Sequence, residues 1–233
     1  NDHSATKPIP QEEQWASWWP FRHIEKLQYI QANTDRELVF MGDSITHGWE
    51  NPGINDIWKK TFSKYKPYNI GFGGDRTEHL LWRIQNGEMQ NINPKLSVIM
   101  IGTNNSHGGH NSEMIRDGIE KIVRTLREMF PEMKILILGI FPCGENPDYS
   151  PNFAWLEKGT QPRKINEATN AQVLKLADGK IVHYLDFGKN FMEDDGMTIS
   201  PEIMYDFVHL TEKGYQIWAD SIINACSSTE IWL

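Results

Sequence analysis

Short apolar runs alternate along the chain with longer stretches in which apolar residues recur every three or four positions. Leu38–Met41, Leu96–Ile101, Ile135–Leu138 and Ile181–Leu185 are near-continuous apolar runs, the pattern of strands buried on both faces. Tyr68–Ile70 is a shorter candidate strand, second in chain order. Ser112–Phe130 sets Ile115, Ile119, Ile122, Val123, Leu126 and Met129 on one stripe, with Pro131 just beyond it, and predicts a helix. Glu78–Ile84 and Lys164–Leu176 read the same way, and Glu212–Ala225 follows Thr211, a suitable N-cap. Strands separated by helices predict an α/β fold, with a parallel sheet covered by helices.

Two regions break the alternation. The opening carries Trp15, Trp18 and Trp19, read as a helix packing onto the domain in preference to a carbohydrate platform. Residues 1–36 are therefore expected to be an extension of the same domain, and 37–233 its body. Phe141–Gln161 is rich in proline and glycine, includes Tyr149 and Trp155, and has no sustained period. A loop of this length after the fourth strand is expected to be functional and to wall the site with those two rings.

Composition narrows the picture. With 233 residues, 39% hydrophobic and 23% charged, the chain is that of an ordinary globular protein, and no linker-like segment divides it. A net charge of -8 excludes a phosphate-backbone partner, so no nucleic acid is expected. No apolar run approaches the roughly 20 residues of a membrane span. Cys143 and Cys226 could pair, two buried thiols being the plainer reading. The polar lead from Asn1 fits a protein whose signal peptide has gone, which predicts a secreted or periplasmic location; a trimmed cytoplasmic chain would look the same.

Polar segments follow the strands, and parallel strands bring such segments to one sheet edge. They are Gly42-Asp43-Ser44, Gly71-Phe72-Gly73-Gly74-Asp75-Arg76 and Gly102-Thr103-Asn104-Asn105, with Asp206-Phe207-Val208-His209 after a further loop. Together they hold what acyl transfer needs. Ser44 is the candidate nucleophile, His209 its base, and Asp206 the carboxylate that orients the imidazole. The Ser44 and Gly74 backbone N–H groups and the Asn104 amide are candidate oxyanion donors. Asp43 is expected to brace the nucleophile turn, and His47 to pack or hydrogen-bond beside it. Asp75 and Arg76 are expected to hold the glycine turn through buried hydrogen bonds. His107 and His110 flank two glycines, where a flexible loop is expected and no metal; Glu193-Asp194-Asp195-Gly196 reads as a solvated turn.

These four blocks together resemble the SGNH, or GDSL-type, hydrolase superfamily, over residues from about 37 to 220. Gly71–Arg83, Ile101–Asn105 and Met204–Leu210 are similar to the platelet-activating-factor acetylhydrolase catalytic subunits, and bacterial relatives with these blocks include carbohydrate acetylesterases. The resemblance implies a flavodoxin-like three-layer α/β/α sandwich on a five-stranded parallel sheet. It also implies hydrolysis through an acyl-enzyme with no metal or other cofactor. The expected substrate is a small acylated molecule, an acetylated saccharide first and a lipid ester second; a binding module that kept the fold is the reading from another class. A homodimer is left open.

Overall fold

The computed structural model describes residues 2–146, 148–149, 161–228 and 231. Helix α1 (Trp19–Ala32) precedes β1 (Leu38–Gly42), which runs into the one-turn α2 (Ser44–His47) and then α3 (Ile54–Phe62). There follow β2 (Pro67–Gly71), α4 (Thr77–Arg83), β3 (Leu96–Met100), α5 (Thr103–His107) and α6 (Ser112–Met129). The chain continues through β4 (Lys134–Leu138), α7 (Pro162–Val173), β5 (Val182–Leu185) and α8 (Glu212–Ser228).

The five strands form one parallel sheet in the order β2-β1-β3-β4-β5. All five expected strands are present, within a residue or so of the apolar runs that announced them. Side chains alternate across the sheet, so each strand feeds two cores. Leu38, Phe40, Val98, Met100, Leu136 and Leu138 face α3 and α8, whose Trp58, Phe62, Trp218 and Ile222 fill that side. Val39, Met41, Ile99, Ile101, Ile135 and Ile137 face α1, α4, α6 and α7. Helices on both sides complete the three layers.

The chain leaves β1 for β2 on one side and later passes back across β1 to β3. That reversal opens a crevice beyond the C-terminal ends of β1 and β3, where open α/β sheets place ligands. Register makes the rim level: Gly42 pairs with Gly71 on one side and with Met100 on the other. Ser44, Gly73 and Gly102 therefore each stand two residues past a matched strand end. Glycine is required where α2 lies against β2, because a Cβ on Gly71 would stand 2.3 Å from the His47 nitrogen.

Cys143 and Cys226 are free and buried, as the plainer reading had it. No helix among the described residues is long and apolar enough to cross a membrane.

Candidate active site

Asp43 is the N-cap of α2 and accepts from the Ile45 N–H at 3.0 Å, so Ser44 opens the helix and projects from the rim. Its hydroxyl lies 2.9 Å from His209 Nε2. His209 Nδ1 lies 2.6 Å from Asp206 Oδ2. The other Asp206 oxygen accepts from the backbone N–H of Val208 at 3.0 Å and of His209 at 2.6 Å. These bonds close a tight turn in which Phe207 takes a left-handed φ of 63°, a conformation that costs energy for a bulky residue. A bridge between Met204 and Leu210 pins the turn at its base. Asp206 and His209 thus sit before α8 in a bonded loop, and α8 returns to the Ser44 turn: the Tyr215 hydroxyl donates to the Ile45 carbonyl at 2.5 Å.

Electrostatics favour this pairing. Burial works against charge on His209, but the hydrogen bond and charge of Asp206, with a smaller contribution from Asp43, hold its pKa above the ordinary value. Asp206 is penalised by burial too, yet its bonds to His209 bring its pKa below normal. The pair is built to carry an imidazolium over a carboxylate.

The glycine turn stands opposite. Gly74 has φ 78°, a left-handed conformation that suits a residue without a Cβ. The Asn104 amide, in the first turn of α5, donates to the Asp75 carbonyl at 3.0 Å, which sets it beside Gly74 with its second N–H uncommitted to that bond. His47, the last residue of α2, accepts from the Gly73 N–H at 3.2 Å through Nδ1. Burial pushes the His47 pKa down to about 4, with the positive charge of Arg22 adding to it, so the ring is neutral at pH 7 and free to accept.

Residues 40–217 match the GDSL-like lipase/acylhydrolase family. The chain belongs to that family. It is 36% identical over 218 residues to the platelet-activating factor acetylhydrolase IB subunit alpha1 of Bos taurus, covering 92% of this chain and 85% of that one. Among solved structures, a GDSL-like lipase from Bacteroides thetaiotaomicron superposes with a TM-score of 0.71 at 20% identity, over 88% of this chain and 97% of the other. A carbohydrate acetylesterase from Sinorhizobium meliloti gives 0.64 at 18% identity, over 83% and 99%. The two superpositions are evidence of shared fold. This acylhydrolase is accordingly an ester-hydrolysing enzyme.

The supporting residues of the acylhydrolase are distributed differently from expectation in one respect. Asp75 holds the glycine turn as expected: one oxygen accepts from Trp19 Nε1 at 2.8 Å and the other from Arg83 Nε at 2.8 Å. Burial pushes its carboxyl up to about 7, against the pull of Arg83 and the Trp19 N–H. Arg76 does not share that role through its side chain. Its backbone N–H bonds His79 Nδ1 at 3.0 Å, while its guanidinium packs against Gly108. The arginine buried beneath this turn is Arg83, about two helix turns further along. It also donates to the Ile70 carbonyl at 2.9 Å, the Gly42 carbonyl at 3.2 Å and Glu88 at 2.8 Å, so one side chain ties the ends of β1 and β2 to the glycine turn. The sequence signal is a charged residue at a core-facing position of α4.

Other expected residues fall as follows. Asp43 braces the turn with one oxygen; its second oxygen is buried without a hydrogen-bond partner, and burial pushes its pKa up to about 6. Tyr149 packs over Gly144, whose N–H donates to the Phe207 carbonyl at 2.8 Å, which places the ring near the Asp206 turn. Trp155 lies outside the described residues. His107 and His110 are not on a loose loop: His107 ends α5 and bonds the Thr103 carbonyl at 2.7 Å, and buried His110 bonds Ser4 and Asn105. Asp195 caps its own turn through the N–H groups of Met197 and Thr198, both at 2.8 Å. Tyr205, which the sequence reading passed over, stacks on His209 at 6.2 Å between ring centroids and is 62% exposed.

Arg83→Met is expected to cost about 3–5 kcal/mol, because Asp75 and Glu88 would be left buried without their counter-charge. Urea unfolding of wild type and variant measures it. A loss under 1 kcal/mol would show that the clamp is not a stabilising one.

Proposed function

We propose that this acylhydrolase removes a short acyl group, acetyl first, from a lipid alcohol through an acyl-enzyme on Ser44. The observation that carries the chemistry is the continuous bonded chain from Ser44 Oγ through His209 to Asp206 at the sheet's switch point. His209 Nε2 takes the Ser44 proton as Oγ bonds to the acyl carbon. The oxygen that becomes negative is received by the N–H groups of Ser44 and Gly74 and by the Asn104 amide. His209 then returns the proton to the departing alcohol oxygen, leaving the acyl group on Ser44. Water, deprotonated by the same imidazole, attacks that ester, and the carboxylic acid leaves as Oγ regains its proton.

Support for the lipid comes from the 36% identity to a platelet-activating factor acetylhydrolase subunit over most of both chains. The carbohydrate substrate expected from the sequence has less behind it, since the acetylesterase superposition at 18% identity speaks for fold alone. The secreted or periplasmic location expected from the leading segment finds no support in these similarities.

The test compares acetate release from a 1-alkyl-2-acetyl glycerophospholipid and from acetylated xylan. The phospholipid is expected to be the better substrate, with labelling of Ser44 by a fluorophosphonate blocking turnover. Release from xylan but not from the phospholipid would put the saccharide in its place. Folded protein that resists the fluorophosphonate would return the chain to the binding-module reading.

A further inference from the structure

We propose that Trp15 and Trp18, from the segment ahead of the family-matched residues, form the wall that limits the acyl group to about two carbons. The inference rests on the Ser44 acyl-enzyme reading and adds the residues that choose its acyl group.

His209 must face the departing alcohol oxygen to return its proton, so the acyl substituent projects away from the imidazole. The ring stacked on His209 is Tyr205, which assigns that side to the alcohol. Trp18 instead packs on His47, with centroids 5.6 Å apart, and on Phe72 at 6.3 Å. Both residues border Ser44 through Gly73.

The space at Gly73 has a measurable size. A carbon placed where its Cβ would be stands 3.7 Å from Ser44 Cβ, 3.7 Å from Trp18 Cζ2 and 3.8 Å from His47 Nδ1. Those are ordinary contact distances to three neighbours at once, so one methyl group fits there with Trp18 and His47 against two of its sides. The methyl of an extended acetyl ester on Oγ stands about one such contact from the serine Cβ. His47 faces this space as a neutral ring, already accepting from Gly73, and suits an apolar neighbour.

Trp15 closes the next step along the turn. Its six-membered ring lies so near Gly74 that a Cβ there would come within 2.1 Å of Cη2 and 3.0 Å of Cζ2. The ring is nevertheless 56% exposed, so it stands over the turn as a ledge. Trp18 is also anchored through its neighbour. Trp19, next in the chain to Trp18, is buried against Phe72 at 5.5 Å and donates to Asp75, so wall and glycine turn share one support. A wall fixed to the turn it flanks can discriminate by length, where a mobile one would yield.

The test holds the alcohol constant and varies the acyl chain: kcat/KM for p-nitrophenyl acetate, butyrate and hexanoate, with wild type, Trp15→Ala, Trp18→Ala and Trp18→Phe. Wild type is expected to prefer acetate over butyrate by at least about tenfold, the scale on which enzymes read one or two methylenes. Trp18→Ala is expected to raise the butyrate-to-acetate ratio about tenfold, Trp18→Phe less, and exposed Trp15→Ala to raise the hexanoate-to-acetate ratio. Trp15→Ala and Trp18→Phe decide the matter should Trp18→Ala not fold. Tyr205→Ala is expected to leave the acyl ratios in place while changing discrimination among acetate esters of different alcohols. Equal use of hexanoate and acetate by wild type, or ratios unmoved in the tryptophan variants, would overturn the proposal. Turnover that survives Ser44→Ala would instead sink the serine reading beneath it.

Discussion

Replacing Ser44 by alanine is expected to lower kcat for p-nitrophenyl acetate by on the order of 10⁴-fold or more while leaving the fold intact. The size follows from what the hydroxyl does: without Oγ there is no acyl-enzyme, and His209 can act only on a water that nothing positions. The residual rate would come from the oxyanion donors and from binding. Structure predicts little cost in stability, because Ser44 is half-buried and its lost partner, His209 Nε2, can be solvated. The backbone features that hold the turn belong to neighbours: Asp43 caps α2, and Gly42 and Gly71 admit it to the sheet edge. Stopped-flow or steady-state release of p-nitrophenolate measures the rate, and thermal unfolding measures the fold. A variant that keeps more than about a tenth of the wild-type rate, with Tm unchanged, would show that Ser44 is not the nucleophile.

Much of this architecture was legible because strands buried on both faces must be apolar at nearly every position. That rule marks β1, β3 and β4 directly; β5, an edge strand, is buried only at Val182. The expected parallel sheet then required the polar segments after those strands to meet at one edge, and Ser44, His209 and Asp206 do meet there. Five residues, as in α5, carry too little periodicity to register. Helix α3 spaces Ile54, Trp58 and Phe62 four apart, but over only nine residues, and was passed over.

Long-range polar contacts were least legible. Arg76 adjoins the glycine turn in sequence and so draws that role, whereas nothing in the sequence points to Arg83. Arg76 is the N-cap of α4 with its guanidinium against Gly108, and the helix carries Arg83 beneath the turn, where Asp75, Glu88 and two strand-end carbonyls converge on it. The same limit hid Trp19 as the donor to Asp75 and Tyr215 as the tie between α8 and α2. Each such role exists only once elements distant in sequence are packed together. Substrate was harder still, since rings beside the site, Trp18 for one, come from outside the four blocks.

Asp206→Asn is expected to cost on the order of 10⁴-fold in kcat, although the exchange is nearly isosteric. The reason lies in the turn. One Asp206 oxygen already accepts from two backbone N–H groups, of Val208 and His209, so the amide of asparagine must keep its oxygen there. Its NH2 is then forced toward His209 Nδ1, which can only accept. The ring's proton moves to Nε2, the atom that must be bare to take the Ser44 proton. The pH profile separates this from simple damage. The base works when neutral, so kcat/KM rises with pH through the His209 pKa. In wild type that limb is expected above the ordinary histidine value of about 6.5, because Asp206 holds the pKa up against burial. Removing the carboxylate leaves burial dominant, so the limb is expected to move to lower pH even as the plateau falls. The retained backbone bonds keep the change in stability near about 1 kcal/mol. A limb that stayed in place, or a variant within tenfold of wild type, would mean that Asp206 does not set the tautomer of the base.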